Sequence, residues 1–168
     1  MYPRVMFPVK DYNTFDSEIC HFKFKKPTYA VEKTNMKFFN EKPTNSCWFD
    51  LYIKELNCSI HFSYSPIDNK NTIDNLITDA FVLVAKHNVK AEYRNEKVIK
   101  NKNGVNGLLF EIEGPVASPI NFYMTDSINH FVRASVYFNS TVNPDSIAPV
   151  LDFISTDVEE ILRTFKFN

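Results

Sequence analysis

The side chains with chemical potential are few and scattered. His21, His61, His87 and His130 lie far apart, and none forms the His-x-x-x-His or His-x-His pair that commonly ligates a metal. His61 alternates with Ile60 and Phe62, which places it on the polar side of a strand, as a surface histidine. Asp126, Ser127 and His130 have the residue types of a nucleophilic triad. They crowd one loop between two strand-like runs, and no nucleophile elbow or oxyanion-hole segment accompanies them. Asp and Ser also build turns by bonding their side chains to nearby backbone, and that is the reading favoured here. Glu111 and Glu113 share one strand face and read as a solvated edge, whereas glycosidase chemistry needs facing carboxylates. No catalytic residue, metal site or cofactor is therefore expected.

Composition narrows the classes further. The chain of 168 residues has a net charge of −1, from 19 basic and 20 acidic residues. That balance argues against nucleic acid or an anionic membrane surface as the main partner. Three Gly are too few for a Gly-rich phosphate loop, and 16 Phe with 8 Tyr favour strands. Local positive charge in residues 33–46 and 97–102 is offset by nearby acids and reads as solvated loop. No apolar run approaches the roughly 20 residues of a membrane helix. The chain as it stands carries no signal peptide.

Three cysteines, Cys20, Cys47 and Cys58, form no Cys-x-x-Cys pair, which speaks against structural zinc. Cys20 and Cys47 each open an aromatic run, and paired strands could join them in a disulfide contributing roughly 3 kcal/mol. Three buried thiols are an equal alternative on these residues alone. Cys58 alternates in phase with Ile60, Phe62 and Tyr64 and reads as a core thiol.

The elements that must position these groups are read from periodicity. Residues 2–7 form a short extended run, and residues 22–24 and 29–31 are weaker strand candidates around Pro27. Residues 33–46 read as a loop. Phe49, Leu51 and Ile53, then Ile60, Phe62 and Tyr64, alternate with polar residues and predict a hairpin closed by residues 55–57. Ile73, Leu76, Ile77, Ala80, Phe81 and Val84 predict a helix capped by Thr72 or Asn71. Strands follow at 89–99, 106–113, 120–125 and 131–138, with Asn103-Gly104 as a hairpin turn.

A last helix carries an apolar stripe from Ile147 to Phe165, with Asp152, Ser155, Asp157, Glu159, Glu160 and Arg163 facing away. Pro149 favours a start near Ser146 rather than Asn143. Short turns imply antiparallel pairing, and two amphipathic helices must bury their stripes on the sheet. The expectation is one α+β domain over residues 1–168, with an antiparallel sheet of about six to seven strands covered by two main helices.

Several stretches, taken in order, carry a family resemblance. They are Pro8-x-Lys10-x-Tyr12, Cys20 leading into Phe22-x-Phe24, Pro27-x-Tyr29-Ala30, Cys47-Trp48-Phe49 and His61-Phe62-Ser63-Tyr64. The series continues with Gly107-Leu108-Leu109, Ala117-Ser118-Pro119, Thr125-Asp126-Ser127, Asn129-His130-Phe131-Val132-Arg133, Tyr137-Phe138-Asn139 and Asp145-Ser146-x-Ala148-Pro149-Val150. Together they make the chain similar to the GldD family of gliding-motility lipoproteins, and the resemblance implies export, an N-terminal lipid anchor in a cell-envelope membrane, a periplasmic location and a role in gliding motility and type IX secretion, without enzymatic activity. Neither a signal peptide nor a lipobox cysteine stands in this sequence, so the anchor is an expectation of the resemblance. The oxidising compartment it implies favours a Cys20–Cys47 disulfide. The order of elements also resembles PsbP and Mog1-type domains, which serve as binding or assembly modules.

The expected function is thus that of an accessory subunit working through contacts with protein components of the gliding and secretion machinery. Asp126, Ser127, Asn129, His130 and Arg133 form a dense polar cluster between two apolar strands and are the candidate contact surface. The alternative is a small-ligand carrier or sensor with an aromatic pocket between sheet and helix.

Overall fold

The fold is described from a computed structural model over residues 6–17, 19–34, 43–87, 89–139 and 144–168. Ten strands and two helices follow in the order β1 (Tyr12–Ser17), β2 (Phe22–Pro27), β3 (Val31–Thr34), β4 (Trp48–Ile53), β5 (Cys58–Pro66), α1 (Ile73–His87), β6 (Tyr93–Lys100), β7 (Asn106–Glu113), β8 (Ile120–Thr125), β9 (His130–Phe138), α2 (Pro144–Thr164) and β10 (Lys166–Phe167). Seven strands make one antiparallel sheet in the order β3-β4-β5-β9-β8-β7-β6, and β1-β2-β10 make a second, smaller one. The class is α+β.

The alternation of side chains divides the large sheet into two faces. Phe49, Leu51, Ile53, Ile60, Phe62, Ala134, Val136 and Phe122 point to one face. There they meet Val150, Ile154, Val158 and Ile161 of α2 and Phe15, Phe22 and Phe24 of the small sheet. On the other face Leu76, Ala80 and Val84 of α1 pack on Phe110, Ile112, Tyr123 and Phe131. The helices therefore lie on opposite sides of the sheet, and the small sheet helps α2 cover its side.

Local chemistry explains the joints. Asn57 takes φ 48° to close the β4–β5 hairpin after a single turn of 3-10 helix. Thr72 caps α1, its Oγ1 accepting the amide of Asn75 at 3.3 Å. In the β6–β7 turn Gly104 adopts φ 76°, which suits a residue without Cβ. Asn101 of that turn donates to the carbonyls of Leu162 and Phe165, both at 2.9 Å, and so satisfies the end of α2.

Several boundaries differ from the sequence reading. Residues 6 and 7 belong to no strand, and the rest of the expected run at 2–7 lies outside the described residues. The weak strand at 29–31 moves downstream to β3, and the first strand after α1 starts at Tyr93 rather than residue 89. Part of the expected loop, residues 35–42, also lies outside the described residues. The last helix begins at Pro144, ahead of Ser146, and Pro149 sits inside it. A proline suits the first helical position because its fixed φ is helical and no amide is needed there. Pro149 then forgoes a single bond to the carbonyl four residues back.

Asp157 is a larger correction. It does not face away but is 0 % exposed. Its Oδ1 accepts Lys10 Nζ at 2.8 Å and the Tyr12 hydroxyl at 2.6 Å, and its Oδ2 accepts the Tyr29 hydroxyl. Lys10 Nζ also donates to the Phe153 carbonyl at 2.7 Å and sits 3.4 Å from the centroid of the Phe153 ring. Burial first, and then the Asp157 carboxylate, pushes the Tyr12 and Tyr29 phenols well above their ordinary value. A buried carboxylate is tolerated only with such donors.

Cys20 and Cys47 are joined in a disulfide with a Cα–Cα separation of 5.5 Å, tying the start of β2 to the start of β4. Cys58 is the core thiol expected from its alternation, and burial pushes it up to about 12.

Candidate functional site

Strands β8 and β9 meet in a tight turn that carries most of the polar cluster. Asp126 Oδ1 accepts three consecutive backbone amides, from Ile128 at 3.0 Å, Asn129 at 2.9 Å and His130 at 3.0 Å. Ser127 takes φ 66°, its amide donating to Thr125 Oγ1 at 2.9 Å. Asn106 Nδ2 reaches Ser127 Oγ at 3.2 Å, and Thr125 Oγ1 donates to the His130 carbonyl at 2.7 Å. Side-chain oxygens hold the backbone of the turn up to and including its tip. There Ile128, 71 % exposed, stands between the exposed Ser127 and Asn129.

Burial alone would raise the Asp126 carboxyl, but the three amides outweigh it and hold the group below its usual 3.8. A depressed folded value means stability that is present above pH 3.8 and is lost as pH falls through the folded value. We expect Asp126→Asn to cost about 1 kcal/mol at pH 7. Urea midpoints of the two proteins should converge as the pH falls below 3.8 and through the folded value, and a constant difference would contradict this role.

The turn does not assemble a triad. The Asp126 carboxylate serves backbone amides, Ser127 Oγ meets Asn106, and His130 Nδ1 shares a 2.6 Å bond with the Tyr64 hydroxyl. His130 stacks on Phe167 and His21, with centroids 5.3 Å and 5.9 Å away.

Arg133 lies on the opposite face from His130, as an odd-numbered offset along β9 requires. It lines a cleft of about 350 Å³ between α1 and the sheet, with Trp48, Ser63, Phe131, Asp79 and Lys86. The structure thus brings Asp126, Ser127, Asn129 and His130 together at one hairpin end and places Arg133 on the side of α1.

On the α1 face lies a polar row that the sequence reading missed. His61 is 2 % exposed, not a surface histidine, and its Nδ1 meets Asp50 Oδ1 at 2.8 Å. Tyr137 donates to the other Asp50 oxygen at 2.6 Å, and burial followed by the Asp50 charge raises its phenol. Ser135, opposite His61 in register, donates to Asn121 Oδ1 at 2.6 Å. The signal for the row was the alternation of Asp50, His61 and Ser135 out of phase with the core residues. An Asp–His pair can hold a proton, but the hydroxyl across from it is committed to Asn121. Among the described residues no three of His, Cys, Asp or Glu are grouped to hold a metal ion.

Rings pack between the small sheet, the end of α2 and the large sheet. Phe22 and Phe165 lie 5.2 Å apart, Phe24 and Phe62 5.3 Å, and Phe15 and Phe49 4.9 Å between centroids. An aromatic ligand pocket there was the alternative expectation; the cleft of about 280 Å³ that remains between α2 and β6–β8 is lined by Lys97, Val98, Leu109, Val158 and Leu162 among others, none of them aromatic.

A sheet clad by one helix on each side, with a polar hairpin end, defines a PsbP-like α+β protein. The fold resembles the solution structure of cyanobacterial PsbP (CyanoP) from Synechocystis sp. PCC 6803, at a TM-score of 0.51 and 12 % identity, over 96 % of this chain and 95 % of that one. The sequence matches the family described as gliding motility lipoprotein GldD over residues 1–167, and the chain belongs to that family. No curated protein matches it in sequence.

Proposed function

We propose that the protein is a non-enzymatic accessory subunit, lipid-anchored and facing the periplasm, that supports gliding motility and type IX secretion by protein–protein contact. The family match across residues 1–167 carries this reading. The β8–β9 hairpin end supplies its contact surface: Ile128 protrudes from a braced turn, Ser127 and Asn129 flank it, and His130 and Arg133 line its two sides. A braced, exposed apolar residue with a polar rim needs little ordering on binding, which favours its use as an anchor.

The test is substitution of each side separately, as Ile128→Asp, Arg133→Ala and His130→Ala, at unchanged protein level and unchanged circular dichroism. Loss of gliding and secretion, strongest in Ile128→Asp, is expected. Full function in all three would remove this surface from consideration. Crosslinking from the hairpin end, read by mass spectrometry, would then identify the partner in the wild type.

A further inference from the structure

The N-terminal strand has features that its role in the fold does not require. Only Phe15 of the six residues of β1 is buried, whereas β2 buries Phe22, Phe24, Lys26 and Pro27. Among the described residues strand β1 pairs with β2 alone, and Tyr12 at its outer end faces Pro27 while Ser17 faces Phe22. A pull on the chain ahead of Tyr12 therefore opens this ladder from its outer end, one pair after another. Phe15 stacks on Phe22, Phe24 and Phe49, but the rest of the strand buries little, and segments with few buried contacts are the ones that open locally at low free energy.

Two devices bound that opening. At the outer end Lys10 and Tyr12 are held on the buried Asp157 of α2, which Tyr29 also holds from the β2–β3 connection. At the inner end Cys20 is bonded to Cys47 at the start of β4. Strand β2 keeps partners when β1 leaves, since β10 pairs with its other edge over two residues and Thr164 Oγ1 accepts the amide of Lys25 at 2.9 Å, but these bear the load only when the Cys20–Cys47 bond is absent.

We propose that residues 10–17 form a latched strap: under load the hold on Asp157 gives way, β1 peels from β2, and the Cys20–Cys47 bond stops the peeling. The strap lets an anchored body move away from its membrane by a set length without unfolding. From Lys10 to Cys20 is 20 − 10 = 10 residue steps, which release roughly 35 Å of chain at about 3.6 Å each. Its use as a tether rests on the lipid-anchored reading above; the peeling itself does not.

Both can be tested apart. The purified oxidised protein would be pulled between its N-terminus and a handle on the exposed loop residue Asn69, with no membrane present. A first low-force step that frees roughly 35 Å of chain contour, less the span from Lys10 to Cys20 in the folded state, is expected before global unfolding. Cys20→Ser with Cys47→Ser should lengthen that step. A single cooperative unfolding event, or a first step indifferent to the disulfide, would overturn the strap.

Hydrogen exchange supplies a second arm. In Asp157→Asn the amides of residues 12–17 should exchange at least tenfold faster, with β5 and β9 unchanged; Lys10→Met gives a milder form should the first variant unfold. Equal acceleration across the sheet in both variants overturns the latch. In cells, a crosslink between the paired positions Thr14→Cys and Lys25→Cys should abolish gliding at normal protein level. Normal gliding with the strap locked removes the tether role even where peeling is seen in solution.

Discussion

Phe22→Ala is expected to lower stability by about 4 kcal/mol. The ring is fully buried at the junction of three layers. It lies 5.2 Å from Phe165, 5.9 Å from Phe15 and 6.2 Å from Phe24, Phe49 and Tyr64, centroid to centroid. These neighbours come from β1, β2, β4, β5 and the chain just after α2, so no one of them can collapse into the vacancy without leaving its own contacts. The loss therefore combines the transfer term with an unfilled cavity. Against a typical total of 5–15 kcal/mol it is a large fraction. The melting temperature should fall by about 8–16 °C for a chain of this size. Val98→Ala, at a residue 82 % exposed, is the control and should stay within about 0.5 kcal/mol. A loss below about 2 kcal/mol for Phe22→Ala would mean that the ring stack is not the centre of the core.

Removing the Cys20–Cys47 bond, as Cys20→Ser with Cys47→Ser, should cost about 3.5 kcal/mol. The two residues are 27 apart in sequence, and closing a loop of that length restrains the unfolded chain by this amount in the chain-entropy account. Much of the effect resides in the unfolded state, so its signature differs from that of Phe22→Ala. The slope of free energy against urea should rise, because the unbridged chain expands further on unfolding. The bond also ties β2 to β4 across the two sheets, so some native-state loosening near Phe22 and Phe49 adds to it. In the exported protein, unfolded without reductant, only Cys58 should react with an alkylating agent. Three reactive thiols would show that the bond does not form in its native compartment.

Much of this architecture is written in local periodicity. The alternation in β4, β5, β8 and β9 and the stripe of α2 depend on residues two to four apart, so they survive without knowledge of the fold. Parity along β9 already separated His130 from Arg133, although grouping them by proximity in sequence obscured it. The exposed tip at Ile128 was less visible, because one apolar residue in a polar turn carries no periodic signal.

By itself, then, the sequence determined the class of fold, the hairpins, the two helices and the core thiol at Cys58. The tertiary structure alone decided which charges are buried. Asp157 is three residues from Ile154 and four from Ile161, within the apolar stripe, yet its charge pointed outward on any local reading. It turns inward because Lys10, Tyr12 and Tyr29, 128 to 147 residues away along the chain, supply its donors. His61 likewise leaves water because Asp50 and the elements over the α1 face enclose it. Burial of a polar group depends on partners brought from elsewhere in the chain, and no local pattern encodes them.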